Sequence, residues 1–372
     1  MADPRHARLA ELLIRYSCAL EPGDKVLIDS IDGPQEMVRA VIRAADAAGG
    51  VPLVVLHSKA VWRDLMLCAS EEQMRLMGEA EKLLMSEVQA YVGIRADPNI
   101  SEWSDVPPEK VRLYRRFAWA PVHLDVRVPR TRWVVLRWPN HAMAQEARMS
   151  TESFEDFYFD VCTMDYARMS RAMEPLRELM EATDEVRLRA PDTDLRFSIR
   201  GIPAVACDGR NNIPDGEVFT APVRDSAQGH VRFNTPTIYE GVTHHDVRLG
   251  LRDGRIVEAA SSDTAHLESV LATDEGARYL GEFAIAFNPH VTRPMLDILF
   301  DEKIAGSVHL TPGNAYDEAW NGNRSDIHWD LVLRMEPALG GGEVFFDGRL
   351  IRKDGRFVPP ELAGLNPERL TG

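Results

Sequence analysis

The heptapeptide SDIHWDL, Ser325–Leu331, places His328 and Asp330 two residues apart within an apolar run. In an extended strand, side chains two residues apart point to the same face and lie about 6.5 to 7 Å from each other. The imidazole and the carboxylate can therefore converge on one divalent cation, while Ile327 and Trp329 enter the core. A half-exposed strand with a polar outer face is the commoner reason for this spacing.

A second imidazole and a phenol occur close to this pair in the sequence. His309 lies near the end of the apolar run in SVHLTPGNAY, and Tyr316 follows it across a Pro-Gly turn. Both side chains can approach the same place as the His-Asp pair. Taken singly, His309 is more often a hydrogen-bonded strand residue, and Tyr316 an ordinary loop aromatic.

Two glutamates complete the set of residues that could carry chemistry. Glu217 in PDGEVFTAP lies after a turn at the head of a predicted strand, where a carboxylate is usually solvated. Glu282 in DEGARYLGEFAIAF is predicted on an amphipathic helix, with Glu275 and Arg278 on a similar face. For each glutamate alone, a solvated surface position is the simpler interpretation.

The first half of the chain predicts an α/β domain with a mainly parallel sheet. The segments GDKVLIDS, GPQEMVRAVIRAADAAGG and VPLVVL read as strand, helix and strand. Further strands are predicted in QAYVGIRA and RWVVLRW, with helical stretches between them. We therefore assign residues 1–184 to an N-terminal α/β domain.

The second half changes character after a long helical region from about Ser150 to Thr183. Strands then alternate with glycine-rich turns, and three Asp-Gly pairs are typical of β-hairpins, namely Asp253-Gly254, Asp347-Gly348 and Asp354-Gly355. We place the boundary near Asp184 and predict that residues 185–372 form a C-terminal α+β domain.

Length and charge limit the possible functions. A chain of 372 residues exceeds the usual size of a single core, which agrees with two domains. The net charge of -15 repels phosphate backbones, so nucleic acid is an unexpected partner. Neither half contains GxGxxG at a strand-to-helix turn, a P-loop or GxSxG, which disfavours dinucleotide, nucleotide and serine-hydrolase chemistry.

Location and redox state are predicted from the N-terminus and the cysteines. The first twenty residues alternate charged and apolar side chains like an amphipathic helix, and no uncharged run is long enough to span a membrane. We expect a cytoplasmic protein without a membrane partner. The four cysteines show no CxxC spacing and are predicted to be reduced core residues, namely Cys18, Cys68, Cys162 and Cys207.

Four blocks in order resemble the signature regions of the M29 family of metallo-aminopeptidases, the thermophilic aminopeptidase type. They are NNIPDGEVFTAP, TDEGARYLGEFAIAFN, LFDEKIAGSVHLTPGNAY and GNRSDIHWDL, and the resemblance extends over about residues 211–354. It is weaker in RWPNHAMAQEARMSTESFEDFYFD and in the early βαβ unit. The resemblance implies that two metal ions are bound by five residues beside Tyr316, namely Glu217, Glu282, His309, His328 and Asp330.

The resemblance also implies a reaction. Three carboxylates and two imidazoles suit Zn²⁺, Co²⁺ or Mn²⁺, and two such ions about 3.5 to 4 Å apart can activate a shared water. The expected activity is release of N-terminal amino acids from peptides with a free N-terminus. Either Glu217 or Glu282 would transfer the proton, and Tyr316 would donate to the oxyanion. The family further implies a homodimer.

A different chemistry is compatible with part of the same residue set. The fold resembles that of a ring-cleaving dioxygenase of dihydroxypyridine, which holds one Fe²⁺ with two histidines and one aspartate. His328 and Asp330 would fit such a triad. That branch, however, carries a histidine at the position of Glu282 and lacks the equivalent of Glu217. A non-catalytic peptide-binding module would instead predict a damaged ligand set, and all six chemical types are intact here.

The pocket is expected to differ from that of longer family members. The interval from Tyr316 to His328 is 12 residues, which is shorter than in those members. The resemblance therefore does not imply a preferred N-terminal residue.

Overall fold

The structure is a computed structural model and describes residues 3–99 and 101–371. The strands are β1 Lys25–Ile31, β2 Val51–His57, β3 Ala90–Arg95, β4 Arg132–Arg137, β5 Glu185–Ala190, β6 Thr193–Ser198, β7 Val205–Cys207, β8 Asn212–Ile213, β9 Glu217–Thr220, β10 Gln228–Phe233, β11 Thr237–Tyr239, β12 Val242–His244, β13 Val247–Arg252, β14 Arg255–Ala260, β15 Leu280–Ala286, β16 Ser307–Pro312, β17 Leu331–Arg334, β18 Glu343–Phe346, β19 Arg349–Lys353 and β20 Arg356–Phe357.

The α-helices are α1 Pro4–Glu11, α2 Gln35–Ala47, α3 Lys59–Leu67, α4 Glu71–Ser86, α5 Pro108–Tyr114, α6 Ala120–Val122, α7 Val128–Arg130, α8 His141–Glu146, α9 Thr151–Cys162, α10 Tyr166–Ala182, α11 Thr264–Val270, α12 Ile298–Asp301 and α13 Pro367–Leu370. π-helical turns occur at Leu12–Ser17, Arg115–Trp119 and His123–Arg127, and 3₁₀ turns at Gly276–Arg278, Asp317–Ala319, Pro337–Leu339 and Pro360–Leu365. None of the helices in the described ranges has the length and apolar composition needed to cross a membrane.

The chain divides into two compact units. Unit 1 comprises Met1–Thr163 with Gly209–Ile213, and unit 2 comprises Met164–Asp208 with Pro214–Gly372. The sequence-based boundary near Asp184 follows the change from helices to strands, whereas the packing places α10 in unit 2, against β7 and β9. The short strand β8 returns to unit 1, so the division is not a single cut in the chain.

Unit 1 is built on a parallel sheet, as predicted. Its strand order is β2-β1-β3-β4-β8, and each neighbouring pair is parallel. The predicted βαβ unit is β1, α2 and β2. Central parallel strands are buried on both faces, which explains the nearly continuous burial of β1 and β3. One core cluster includes Leu27, Tyr91 and Met85.

Unit 2 contains antiparallel sheets. One has eight strands in the order β14-β13-β10-β6-β5-β18-β19-β20, and another has five strands in the order β17-β16-β15-β9-β7. The three predicted Asp-Gly hairpins are confirmed, because both residues of each pair have positive φ, between 47° and 79°. Such angles are required by the tight turns that match strand twist. The mixed α/β and α+β architecture is therefore confirmed.

Glu282 lies on a strand, and the predicted amphipathic helix at this position is wrong. All seven residues of β15 are buried, and β15 is the middle strand of the five-stranded sheet. A short apolar run that is covered on both faces has no strand periodicity, so the charged residues before it gave a misleading helical spacing. Of those residues, Arg278 lies in the short 3₁₀ turn Gly276–Arg278, and Glu275 directly precedes that turn.

The cysteines are free, but not all of them lie in the core. Cys18 and Cys162 are buried, Cys207 is partly buried, and Cys68 is exposed. The core prediction is therefore wrong for Cys68, which directly follows the C-terminus of α3 on the surface.

Candidate metal centre

Three adjacent strands of the five-stranded sheet present the first three candidate ligands. Glu217 begins β9, Glu282 lies on β15 and His309 lies on β16. The register pairs Ala284 with His309 and Ala286 with Glu217. Directly paired residues of antiparallel strands share a face. His309 and Glu217 therefore lie beside the two alanines, whose small side chains leave room on that face.

The remaining pair comes from the extended segment before β17. His328 forms an isolated bridge with Gly313, and regular pairing begins only at Leu331. The predicted alternation is confirmed, because Ile327 and Trp329 are buried on the opposite side. The strand itself is shorter than predicted, since residues 325–330 have no continuous partner strand.

His328 and Asp330 are each oriented by a hydrogen bond to a neighbouring residue. His328 Nδ1 lies 2.9 Å from the Asn314 carbonyl oxygen, which can only accept, so Nδ1 carries the proton and Nε2 faces the other ligands. Thr311 donates its hydroxyl to Asp330 Oδ1 over 2.5 Å. These hydrogen bonds therefore fix the orientation of the His328 imidazole and of the Asp330 carboxylate.

The five predicted ligands are brought together in two groups that share one residue. Ligand atoms of Glu217, Glu282 and His309 lie within 4.8 Å of one another, and so do those of Glu282, His328 and Asp330. Each oxygen of Glu282 faces a different imidazole: Oε1 is 2.9 Å from His309 Nε2, and Oε2 is 3.5 Å from His328 Nε2.

Three buried atoms of the candidate ligands lack a hydrogen-bond partner among the described residues. Glu217 Oε2, Glu282 Oε2 and His309 Nδ1 are buried and make no hydrogen bond to any described residue. Leaving buried polar atoms without partners costs free energy, and cations would satisfy all three. Carboxylate oxygens and imidazole nitrogens are suitable ligands for divalent transition ions, so the residues fit the group.

Electrostatics within the cluster favour cations. Burial lowers the pKa of His309, but the carboxylates of Glu217 and Glu282 outweigh it and raise that pKa to about 10. Burial likewise lowers the pKa of His328, and Asp330 and Glu282 raise it to about 10. Burial raises the pKa of Asp330, but the two imidazoles outweigh it and hold that pKa well below its usual range. Without metal, protons on the two histidines offset part of the negative charge of the carboxylates.

Sequence reasoning missed three charged residues beside the cluster. Lys303 Nζ lies 2.5 Å from Glu217 Oε1, 2.7 Å from Glu302 Oε1 and 3.4 Å from Asp215 Oδ1. Burial lowers the pKa of Lys303, but Glu217 and Glu302 raise it well above its ordinary value. The available signal was the charged triplet DEK between the apolar stretches of LFDEKIAG, within a block already used for the resemblance.

Tyr316 lies beside the cluster and outside both ligand groups. Its ring centroid is 4.6 Å from that of His328 and 5.7 Å from that of Phe219. The side chain is 45% exposed, whereas four of the five ligands are buried and His328 is partly buried. The phenol can therefore be reached by a substrate in solution.

The sequence of the chain matches a known protein family. The sequence profile of the thermophilic metalloprotease (M29) family matches residues 2–357. The chain belongs to the M29 family. It is therefore a metalloprotease, a hydrolase of peptide bonds.

Named relatives of this M29 chain extend over nearly its whole length. Aminopeptidase PepS of Streptococcus thermophilus is 25% identical over 95% of both chains. Aminopeptidase T of Thermus aquaticus is 26% identical over 95% of this chain and 96% of the relative.

Two solved structures show the same fold. Wild-type AmpT from Thermus thermophilus matches with a TM-score of 0.80 at 23% identity, over 96% of this chain and 99% of that chain. The 2,5-dihydroxypyridine dioxygenase of Pseudomonas putida matches with a TM-score of 0.63 at 13% identity, over 96% and 98%. The M29 chain thus shares its fold with enzymes of two different chemistries.

Proposed function

We propose that this M29 protein is an aminopeptidase that depends on two divalent metal ions and releases N-terminal amino acids from peptides. One observation carries the proposal: Glu282 is shared by two ligand groups whose buried atoms include three without hydrogen-bond partners among the described residues. The family match and the names of the relatives support the same activity. The substrate class is peptides with a free N-terminus.

The proposed ligands divide between the two ions. Glu217, Glu282 and His309 would hold one ion, and Glu282, His328 and Asp330 would hold the other. Their oxygen and nitrogen atoms suit Zn²⁺, Co²⁺ or Mn²⁺. When bound, such ions supply Lewis-acid activation of a water and of the scissile carbonyl.

The protein's own groups handle the protons and the oxyanion. Either the carboxylate of Glu217 or that of Glu282 would accept a proton from the attacking water and return it to the leaving amine. Tyr316 is exposed beside His328, so its hydroxyl can donate to the oxygen that becomes negative in the transition state. Asn314 keeps the imidazole of His328 oriented during the reaction, and Thr311 does the same for the carboxylate of Asp330.

The experiment uses an aminoacyl anilide with a free amine and its N-acetylated counterpart. Chelation should abolish hydrolysis of the free substrate, and Co²⁺, Zn²⁺ or Mn²⁺ should restore it, because the proposed reaction needs a metal-activated water. The acetylated substrate should remain intact with every ion. Full activity in excess chelator, or equal cleavage of both substrates, would contradict the proposal.

The dioxygenase chemistry is tested separately. Glu282 and Glu217 give this chain more carboxylates than a triad of two histidines and one aspartate requires. Oxygen consumption with Fe²⁺ and a dihydroxylated pyridine should be absent. Oxygen uptake without peptide cleavage would replace the aminopeptidase by the dioxygenase.

Homodimerisation and a cytoplasmic location are part of the proposal. The first is supported by the family resemblance, and the second is a prediction from the sequence. Sedimentation equilibrium should give twice the mass of 41.8 kDa. A monomer at micromolar concentration would contradict the dimer without affecting the proposed chemistry.

A further inference from the structure

A third group of possible ligands adjoins the two already described. Cys207 at the end of β7, Asp215 and Glu217 have ligand atoms within 4.8 Å of one another. Asp215 and Glu217 are buried, and Cys207 is partly buried. Glu217 therefore belongs both to this group and to the group with His309. A thiol and two carboxylates form a plausible set for a transition-metal ion.

This third position already contains a positive charge. The side chain of Lys303 is 2% exposed, and its ammonium contacts Glu217 and Asp215 at 2.5 and 3.4 Å. Its charge also interacts with the thiol of Cys207. The contact with Glu302 at 2.7 Å closes another side of the ammonium. The ammonium thus contacts two of the three possible ligands of this group directly.

The surroundings hold both the lysine and its partners in place. The Lys303 backbone donates to the Phe300 carbonyl, and its own carbonyl accepts from the Asn288 backbone. The Asn288 side chain donates to the carbonyl of Asp215 over 2.6 Å. Asp215 Oδ1 also accepts from the amide of Gly216 over 3.1 Å. The position is therefore rigid before any ion binds.

The charges of the centre agree with this arrangement. Five carboxylates interact in the cluster, namely Asp215, Glu217, Glu282, Glu302 and Asp330. Two divalent ions and one ammonium carry five positive charges. With neutral histidines, two ions and the Lys303 ammonium match these five carboxylates when all five are ionised. Unpaired buried charge is strongly unfavourable, so the ammonium stabilises the ionised carboxylates that it contacts, Asp215 and Glu217.

We propose that the Lys303 ammonium is a built-in third cation: it fills the position between Asp215, Glu217 and Cys207, excludes a metal ion from it, and engages Glu217 Oε1 so that Oε2 faces His309. The inference rests on the proposed two-metal function. Lys303 is a positioning residue in this account, because it acts through Glu217 and does not touch substrate.

Metal content and cobalt spectra test the inference. Wild-type protein saturated with Co²⁺ should hold two ions per chain and show no near-ultraviolet thiolate-to-cobalt absorption. Lys303→Ala should hold three ions and gain that absorption, because cobalt would replace the ammonium and ionise the Cys207 thiol. The matched control is Lys353→Ala, which removes an exposed ammonium paired with Glu343 and should keep two ions.

A second substitution identifies the sulfur. In Lys303→Ala combined with Cys207→Ser, the thiolate absorption should disappear. Lys303→Ala with two ions and no new absorption would overturn the proposal, and so would absorption that persists in the double variant. If Lys303→Ala does not fold, thiolate absorption in the wild type that Cys207→Ser removes would overturn it by itself, whereas its absence from the wild type supports it.

The measurement separates this inference from the function on which it rests. Ion number and thiolate absorption are read without turnover. A wild type that binds no cobalt would remove the proposed two-metal function. A wild type and a Lys303→Ala variant that both bind two ions would remove only the role of Lys303.

Discussion

Glu282 interacts with both histidines of the candidate centre, one through each carboxylate oxygen. His309 and His328 lie on separate segments of the chain, so this carboxylate is the direct link between the two ligand groups. Glu282 belongs to both ligand groups, whereas Asp330 belongs to one. Loss of Glu282 should therefore affect both ions, and loss of Asp330 mainly one.

The hydroxyl of Tyr316 should affect the transition state without affecting metal content. Tyr316→Phe keeps the ring against His328 and removes one donor. By comparison with other oxyanion donors, kcat should fall about 10²- to 10³-fold with little change in KM. The measurement is steady-state kinetics together with metal analysis of the same preparation.

Ligand variants provide the contrast for this prediction. Glu282→Ala and His309→Ala should lower the metal content itself, because each removes atoms from a ligand group. A Tyr316→Phe protein that loses an ion would make the phenol a ligand. An unchanged kcat would mean that the hydroxyl has no part in the reaction.

Metal binding should release protons from His309 and His328. Both have a pKa of about 10 without metal, and a ligand imidazole must be neutral. Each proton displaced makes the apparent affinity fall about tenfold for every unit by which the pH is lowered below that value. Calorimetric titration in two buffers of different ionisation heat measures the release, and identical heats would contradict it.

The same two histidines contribute to the pH dependence of stability in the metal-free protein, as does Glu302, whose pKa burial raises to about 8. The pKa of both histidines is raised on folding from an unfolded value of about 6.5. Their contribution to stability is therefore complete below about pH 6.5 and is lost as the pH rises through about 10. Chelated protein should unfold at progressively lower temperature from neutral to alkaline pH. A midpoint that rises over this range would show that the imidazoles are neutral when no metal is bound.

At the scale of elements, β15 and the loop after β16 are packed without space between them. Gly281 precedes Glu282, and a Cβ at this position would lie 2.3 Å from the Asn314 carbonyl oxygen and 2.4 Å from that of Gly313. The Asn314 carbonyl is also the acceptor for His328. The close approach of the two backbones therefore positions ligands from both segments.

Gly281→Ala should consequently weaken both folding and metal binding. Displacing the loop should cost about 1 to 3 kcal/mol of unfolding free energy and lower the metal content of purified protein. Denaturant unfolding and metal analysis measure the two effects. Gly364→Ala is the matched control, because its Cβ would meet nothing nearer than 3.6 Å. Equal behaviour of the two variants would contradict the packing argument.

The elements could be predicted where the signal is local. The Asp-Gly hairpins are examples, because positive φ depends on the two residues themselves. The alternation around His328 was also readable, since one face of that segment is buried and the other polar. The strand that contains Glu282 could not be predicted in this way, because β15 is buried on both faces. Lys303 was missed because its partners, Asp215 and Glu217, are distant in the chain and meet only through sheet packing.

At the scale of the whole molecule, all five candidate ligands belong to unit 2. They lie on β9, β15 and β16 and on the segment before β17. The parallel sheet of unit 1 contributes none of them. The ligand set was predicted from the family resemblance, and the convergence of these scattered residues could not have been obtained from their spacing alone.

Metal should therefore protect the two units unequally. A ligand that binds only the native state stabilises it by about 2.7 kcal/mol at one hundred times the dissociation constant. Hydrogen exchange measured with and without chelator should show slower exchange of β9, β15 and β16 amides when metal is present. The amides of β1 and β3 should change little. Equal protection of both sheets would mean that the centre controls the stability of the entire chain.

The balance of charge in the metal-free centre has a consequence for biosynthesis. Protons on two imidazoles and the fixed ammonium of Lys303 offset much of the buried negative charge before any ion arrives. The polypeptide can then leave the ribosome and complete its fold as an inactive precursor. Loading becomes a later event, set by the supply of ions in the cell. Under the proposed two-metal function, a newly folded chain would therefore hydrolyse no peptide until its ions are loaded.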